Sequence, residues 1–104
     1  MFFMKPKTDC SRTDLAQALD RADTVVIDCR TPGETAGGRV TGAQEMDWLA
    51  GAWTDEAIQG LDPAKSYYLY CRSGNRSGQA AQLLRSKGFA SVFNAGAYDS
   101  LRGL

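Results

Sequence analysis

Apolar residues recur along this chain in two alternating patterns: short continuous runs, and runs at helical spacing. Ser11-Arg12-Thr13-Asp14 has the form of a capping box, and Leu15, Ala18, Leu19 and Ala22 follow at helical intervals, which predicts an amphipathic helix over about residues 12–21. Thr24-Val25-Val26-Ile27-Asp28-Cys29 is a nearly unbroken β-branched run, the pattern of a strand buried on both faces. Thr31-Pro32-Gly33-Glu34 interrupts it and opens a short helical turn, after which Gly37 and Gly38 reverse the chain into Val40-Thr41-Gly42-Ala43. From Trp48 to Leu61, the positions Leu49, Trp53, Ala57, Ile58 and Leu61 suit a helix covering a sheet face, ended by Asp62-Pro63.

The second half repeats the alternation. Tyr67 to Tyr70 reads as a strand, and about residues 76–87 as a helix closed by Lys87 and Gly88. Ser91-Val92-Phe93 reads as a third short strand before Asn94-Ala95-Gly96-Ala97, and Tyr98 to Leu104 as one or two helical turns. Strands alternating with helices point to an α/β fold of three layers, a mainly parallel central sheet with helices on both faces. In such sheets ligands gather at the carboxyl ends of the strands, where Asp28-Cys29-Arg30 and Cys71-Arg72 fall.

Composition narrows the chemistry. A chain of 104 residues, 43% hydrophobic, suits one domain spanning residues 1–104. Twelve Lys and Arg balance twelve Asp and Glu, so no overall field favours nucleic acid or an anionic membrane, and neither is expected as a partner. No apolar stretch has membrane-spanning length, and Met1-Phe2-Phe3-Met4-Lys5 is too short for a signal-peptide core. The expected location is cytoplasmic as the chain stands, and periplasmic if a leader has been removed. Histidine is absent, which excludes Ser–His and Cys–His nucleophile pairs and histidine metal ligands. Cys10, Cys29 and Cys71 lie too far apart in sequence for a Cys-x-x-Cys pair, so free thiols are expected and neither a metal nor a cofactor is.

The chemistry that remains centres on Cys71-Arg72-Ser73-Gly74-Asn75-Arg76-Ser77, which puts one thiol where a strand becomes a helix. Amides at a helix start lack intrahelical partners and carry the positive end of the helix dipole, so a thiolate there is stabilised. Arg72 and Arg76 add full positive charge, and an ordinary thiol pKa near about 8.5 falls in such surroundings, making Cys71 a candidate nucleophile. Gly74 is the residue best able to curl the loop with a positive φ. Cys29 reads as strand packing, with a resolving-thiol role as the alternative, and Cys10 reads as inert. Asp28 and Glu34 are expected to pair with Arg30 and fix the strand exit, and Tyr67, Tyr68 and Tyr70 to pack the sheet.

Taken in order, Ile27-Asp28-Cys29-Arg30 with Glu34, Gly38-Arg39-Val40-Thr41-Gly42-Ala43, and Tyr70-Cys71-Arg72-Ser73-Gly74-Asn75-Arg76-Ser77 resemble the rhodanese (thiosulfate sulfurtransferase) domain. The likeness is to its small single-domain members of the phage-shock-protein-E type, and it includes Gly78-Gln79-Ala80 and Asn94-Ala95-Gly96. Two positions depart from the family: Arg39 stands where histidine is usual, and Ala97 with Tyr98 where a second glycine and a later tryptophan are common. The resemblance implies double displacement through a persulfide on Cys71. A small anionic donor such as thiosulfate gives up its outer sulfur, which then passes to cyanide, a thiol or a sulfur-carrier protein. It also implies that Arg72, Ser73, Gly74, Asn75, Arg76 and Ser77 bind the substrate, with Arg30 as a further cation. Three rival readings are a persulfide relay between proteins, a non-catalytic rhodanese-like binding module, and a cysteine-based phosphatase or arsenate reductase. Retention of Cys71 speaks against the module. Against the phosphatase, four residues separate Cys71 from Arg76 where its loop has one more, and Tyr70 holds the place of its usual histidine. One residue changes the loop contour by up to about 3.5 Å.

Overall fold

The structure is a computed structural model that describes residues 7–104; the Met1 to Lys5 segment considered above lies outside the described residues. Four strands form one wholly parallel sheet: β1 (Thr24–Asp28), β2 (Gln44–Glu45), β3 (Ser66–Cys71) and β4 (Val92–Ala97), in the order β2-β1-β3-β4. Among the described residues, α1 (Arg12–Ala18) precedes the sheet, α2 (Pro32–Thr35), α3 (Asp55–Gln59) and α4 (Asn75–Ser86) connect its strands, and a 3-10 turn follows at Tyr98–Ser100.

The central strand β3 sorts its side chains by the two-residue strand period. Tyr67, Leu69 and Cys71 join Ile27, Cys29, Trp53, Ile58, Ala80, Ala81 and Leu84 in one apolar layer beneath α3 and α4. Tyr68 and Tyr70 enter the opposite layer with Leu15 and Ala18 of α1, Val40, Tyr98 and Leu101. The three-layer α/β architecture with a parallel sheet and helices on both faces is therefore the observed one. Among the described residues, no helix is long and apolar enough to cross a membrane.

Several local expectations are corrected. The first helix stops at Ala18 rather than near residue 21, because Asp20 and Arg21 donate to the carbonyls of Gln17 and Ala18 in tighter turns that lead into β1. The Trp48–Leu61 pattern is helical only over Asp55–Gln59. Asp47 closes a separate turn by accepting from the amides of Leu49 and Ala50, Gly51 takes a φ of 74°, and Thr54 caps a fresh helix through the Ala57 amide. The strand expected to end at Phe93 runs on to Ala97 through a bulge, where Leu69 pairs with Asn94 but Tyr70 pairs with Gly96. Strand β2 was not apparent in the sequence, since Gln44 and Glu45 are polar, exposed and only two residues long.

Candidate active site

Strands β1 and β3 pair with Asp28 opposite Tyr70, and the Cys29 amide donates to the Tyr70 carbonyl, so the chain leaves both strands at the same sheet edge. Cys71 ends β3, and the loop Arg72 to Gly74 turns directly into α4. Gly74 sits at φ 93° and offers no side chain to cap the helix. The Cys71 sulfur fills that role. The Gly74 amide donates to Sγ at 3.0 Å, and the Ser77 amide, three residues into the helix, donates to it at 3.5 Å. A cap oxygen in an ordinary helix accepts from that third amide. The Ser77 hydroxyl adds a further approach to Sγ at 3.4 Å.

Cys71 has no exposed surface. Burial by itself pushes its thiol pKa up, but the Ser77 hydroxyl and the amides of Ser77, Ser73 and Gly74 outweigh burial, and the thiol lies below its ordinary value. The two other cysteines behave oppositely. Burial, then the neighbouring Cys71 and Asp28, push the Cys29 thiol well up, and burial with Asp14 and Asp9 pushes Cys10 up to about 11. Cys29 is wholly buried within the same apolar layer as Cys71, so its packing role is the one that the geometry supports.

Asp28 pairs with Arg30 as the sequence leads one to expect, but Glu34 and Arg76 are placed differently from that expectation. Arg76 forms a fork with Glu34, Nη1 to Oε1 at 2.7 Å and Nη2 to Oε2 at 2.9 Å, across 42 residues of sequence. Glu34 therefore pairs with Arg76 and not with Arg30, to which it gives only a backbone carbonyl at 3.4 Å. The Arg76 guanidinium senses the charge of Cys71, yet the effects that lower the thiol are led by hydrogen bonds. Arg30 is buried. It is held by both oxygens of Asp28 and by the Gly38 carbonyl, with its guanidinium 4.2 Å from the Tyr98 ring centroid. As a cation available to a donor it is largely committed, although it lines an open cleft of about 280 Å³ with Glu34, Arg72, Tyr98, Asp99 and Arg102. Arg72, Ser73 and Asn75 are exposed on the outer side of the loop, while Gly74 and Ser77 are buried.

The two departures from the family pattern are also placed. Arg39 is half-exposed and lies 3.6 Å from Glu45, and Tyr98 stacks against Tyr70 with centroids 5.8 Å apart. The hydrogen-bonding roles of two residues, Tyr70 and Asn94, are not apparent from the sequence. Tyr70 donates its hydroxyl to Asp28 at 2.8 Å and accepts from the Val40 amide at 3.0 Å, which ties the two strand exits together. Asn94, 1% exposed, accepts from Ser77 Oγ at 2.7 Å and donates to the Gly74 carbonyl at 3.0 Å. The available signal for Asn94 was an amide side chain inside an otherwise apolar run.

Comparison with known proteins agrees with this geometry. A rhodanese-like domain family model matches residues 11–100. Thiosulfate sulfurtransferase GlpE of Pseudomonas fluorescens is 37% identical over 79 residues, covering 76% of this chain and 70% of that protein. An uncharacterized Bacillus subtilis protein, YqhL, is 35% identical over 69 residues, 66% of this chain but 52% of its own length, so the chain spans about half of that relative. Among solved structures, SSP1007 of Staphylococcus saprophyticus superposes with a TM-score of 0.76 at 28% identity, covering 94% of this chain and 98% of that one. The human single-domain sulfurtransferase TSTD1 shares the fold at a TM-score of 0.71 and 24% identity, over 90% and 94% of the two chains. With a cysteine loop curled against a helix start at the carboxyl edge of a parallel sheet, and with relatives that include sulfurtransferases, the chain belongs to the rhodanese-like domain family.

Proposed function

We propose that this chain, acting as one domain, is a thiosulfate sulfurtransferase that carries sulfur as a persulfide on Cys71. The observation that carries this reading is the ring of donors around one sulfur: the Gly74 amide at 3.0 Å, the Ser77 amide at 3.5 Å and the Ser77 hydroxyl at 3.4 Å. In the first step the Cys71 thiolate attacks the outer sulfur of thiosulfate. A Cys71–S–S bond forms, the donor's S–S bond breaks, and sulfite leaves with the bonding pair. In the second step cyanide or a thiolate attacks the outer sulfur of the persulfide, and the Cys71 thiolate departs as the leaving group. Negative charge thus sits first on Sγ and next on the sulfur beyond it, and fixed amide dipoles at the loop serve both without rearrangement.

The side-chain layout favours this reading over phosphoryl transfer. A phosphate clamp needs an arginine fork free to meet an oxyanion, and Arg76 already spends its fork on Glu34. Because Cys71 is wholly buried, the loop around it must open for a donor to enter, and the exposed Arg72 supports attraction of an anionic donor to it. Incubation with thiosulfate should add one sulfur, about 32 Da, to the protein on Cys71, read by intact mass and peptide mapping. Cys71→Ser should take up none. Uptake by that variant at the normal rate would overturn the assignment.

A further inference from the structure

We infer that Asn94 is a positioning residue for Cys71, acting as the second acceptor for the single hydroxyl proton of Ser77. The inference rests on the thiolate chemistry proposed above, and its starting point is the orientation of the Asn94 amide. The Gly96 amide can only donate, so the Asn94 atom 3.0 Å from it is Oδ1. The carbonyls of Lys7 and Gly74 can only accept, so the atom 2.8 Å and 3.0 Å from them is Nδ2. Three neighbours of fixed polarity leave the amide one orientation. Oδ1 then faces Ser77 Oγ at 2.7 Å, and Ser77 must be the donor in that bond.

The same hydroxyl lies 3.4 Å from Cys71 Sγ. One proton therefore serves two acceptors, and the charge on sulfur decides between them. When the thiol is neutral, its S–H can donate to Ser77 Oγ while Ser77 donates to Asn94. When the thiol ionises, the hydroxyl turns to Sγ, because a hydrogen bond to a charged acceptor is roughly twice as strong as a neutral one. Oδ1 keeps the Gly96 amide, so neither arrangement leaves a buried polar group unpaired. On persulfide formation the charge moves to the outer sulfur, Sγ loses its claim, and the proton returns to Asn94. Asn94 thus lets the loop hold a charge that leaves Sγ and comes back in each cycle.

The test is the pH dependence of Cys71 alkylation by iodoacetamide, followed at the Cys71 peptide by mass spectrometry. It is run on the full chain, on Asn94→Ala, on Ser77→Ala and on the double variant. Removing the acceptor frees the Ser77 hydroxyl for sulfur, whereas loosening of Gly74 would act equally with or without that hydroxyl. Asn94→Ala should therefore give a thiol pKa lower by about half a unit in the Ser77 background than its effect in the Ser77→Ala background would give, about threefold in thiolate population at neutral pH. Equal shifts in both backgrounds would overturn the inference. If Asn94→Ala does not fold, the side-chain amide of Asn94 is followed by NMR in the unmodified protein. Its resonances should titrate with Cys71, and that titration should shrink in Ser77→Ala; an amide unmoved by Cys71 ionisation would overturn the inference equally. Neither measurement uses a sulfur donor, so a protein that shows the coupling but transfers no sulfur would refute only the proposed function.

Discussion

Asp28 and Cys71 end neighbouring strands at one sheet edge, and both are wholly buried, yet the protein treats the two acids in opposite ways. Asp28 is surrounded by partners that include a full countercharge. It takes the Arg30 guanidinium on both oxygens, the Arg30 amide at 2.9 Å and the Tyr70 hydroxyl at 2.8 Å. Cys71 is surrounded by neutral donors, two amides and a hydroxyl at 3.0 to 3.5 Å, and the Arg76 guanidinium is turned to Glu34. A countercharge holds an anion permanently, and its loss leaves a buried charge without a partner. Dipoles hold an anion without binding a second charge to it, so the site also accommodates the neutral thiol. The first arrangement suits a structural corner, and the second suits a nucleophile that must gain and lose charge.

Three experiments would break or sharpen that contrast. The largest effect on stability should come from Arg30→Met, which strands the Asp28 charge in the interior. Urea unfolding should show a loss of about 3–5 kcal/mol, partly recovered when Asp28→Asn is added. A loss below about 1 kcal/mol would mean that the Asp28 corner is no more fixed than an exposed pair. At the cysteine, Ser77→Ala should raise the thiol pKa and slow alkylation at neutral pH on the order of tenfold, because one of the hydrogen bonds that outweigh burial is removed. Arg76→Ala should move the same curve less. The reverse ranking would show that charge, and not the donor ring, activates the thiol.

The smallest effect concerns the Glu34 pair. The Arg76 fork, against a burial effect and aided by the Thr31 amide, lowers the Glu34 carboxyl from about 4.5 to about 2. A depressed folded pKa means that the unfolded chain takes up the proton first as pH falls. The stabilisation is therefore complete above about pH 4.5 and is lost as pH falls through about 2. Pairs that still touch water, as this one does at 17% and 25% side-chain exposure, contribute about 1 kcal/mol or less. Thermal unfolding between these pH values should lose part of its slope in Glu34→Gln. An unchanged slope would show that the fork adds nothing to stability.

How much of this was legible in the chain depends on the reach of each interaction. The capping box at Ser11 was readable because its partner, Asp14, lies three residues on, and both of its hydrogen bonds form. The helix expected over Trp48–Leu61 failed for a local reason too: apolar spacing was counted, while Gly51 and Thr54 interrupt the backbone between the apolar positions. The pairing of Glu34 was misassigned because Arg30 is four residues away in sequence, but the Arg76 fork, 42 residues away, faces the carboxylate in space. Asn94 was noted only as part of a motif. Its partners Lys7 and Gly74 come from two other parts of the chain, and nothing in the run Val92–Ala97 points to them.

From its residues alone this protein was determined to be an alternating α/β chain with a cysteine at a strand-to-helix joint, because strand period, helix spacing and the glycine needed for a left-handed turn are all properties of neighbouring residues. Only the folded arrangement decided that the Arg76 fork is engaged by Glu34, and that Ser77 and Asn94 stand behind the sulfur. Hydrogen bonds and ion pairs depend on distance through space, which the sheet order sets by bringing β4 beside β3 and the turn after β1 beside α4.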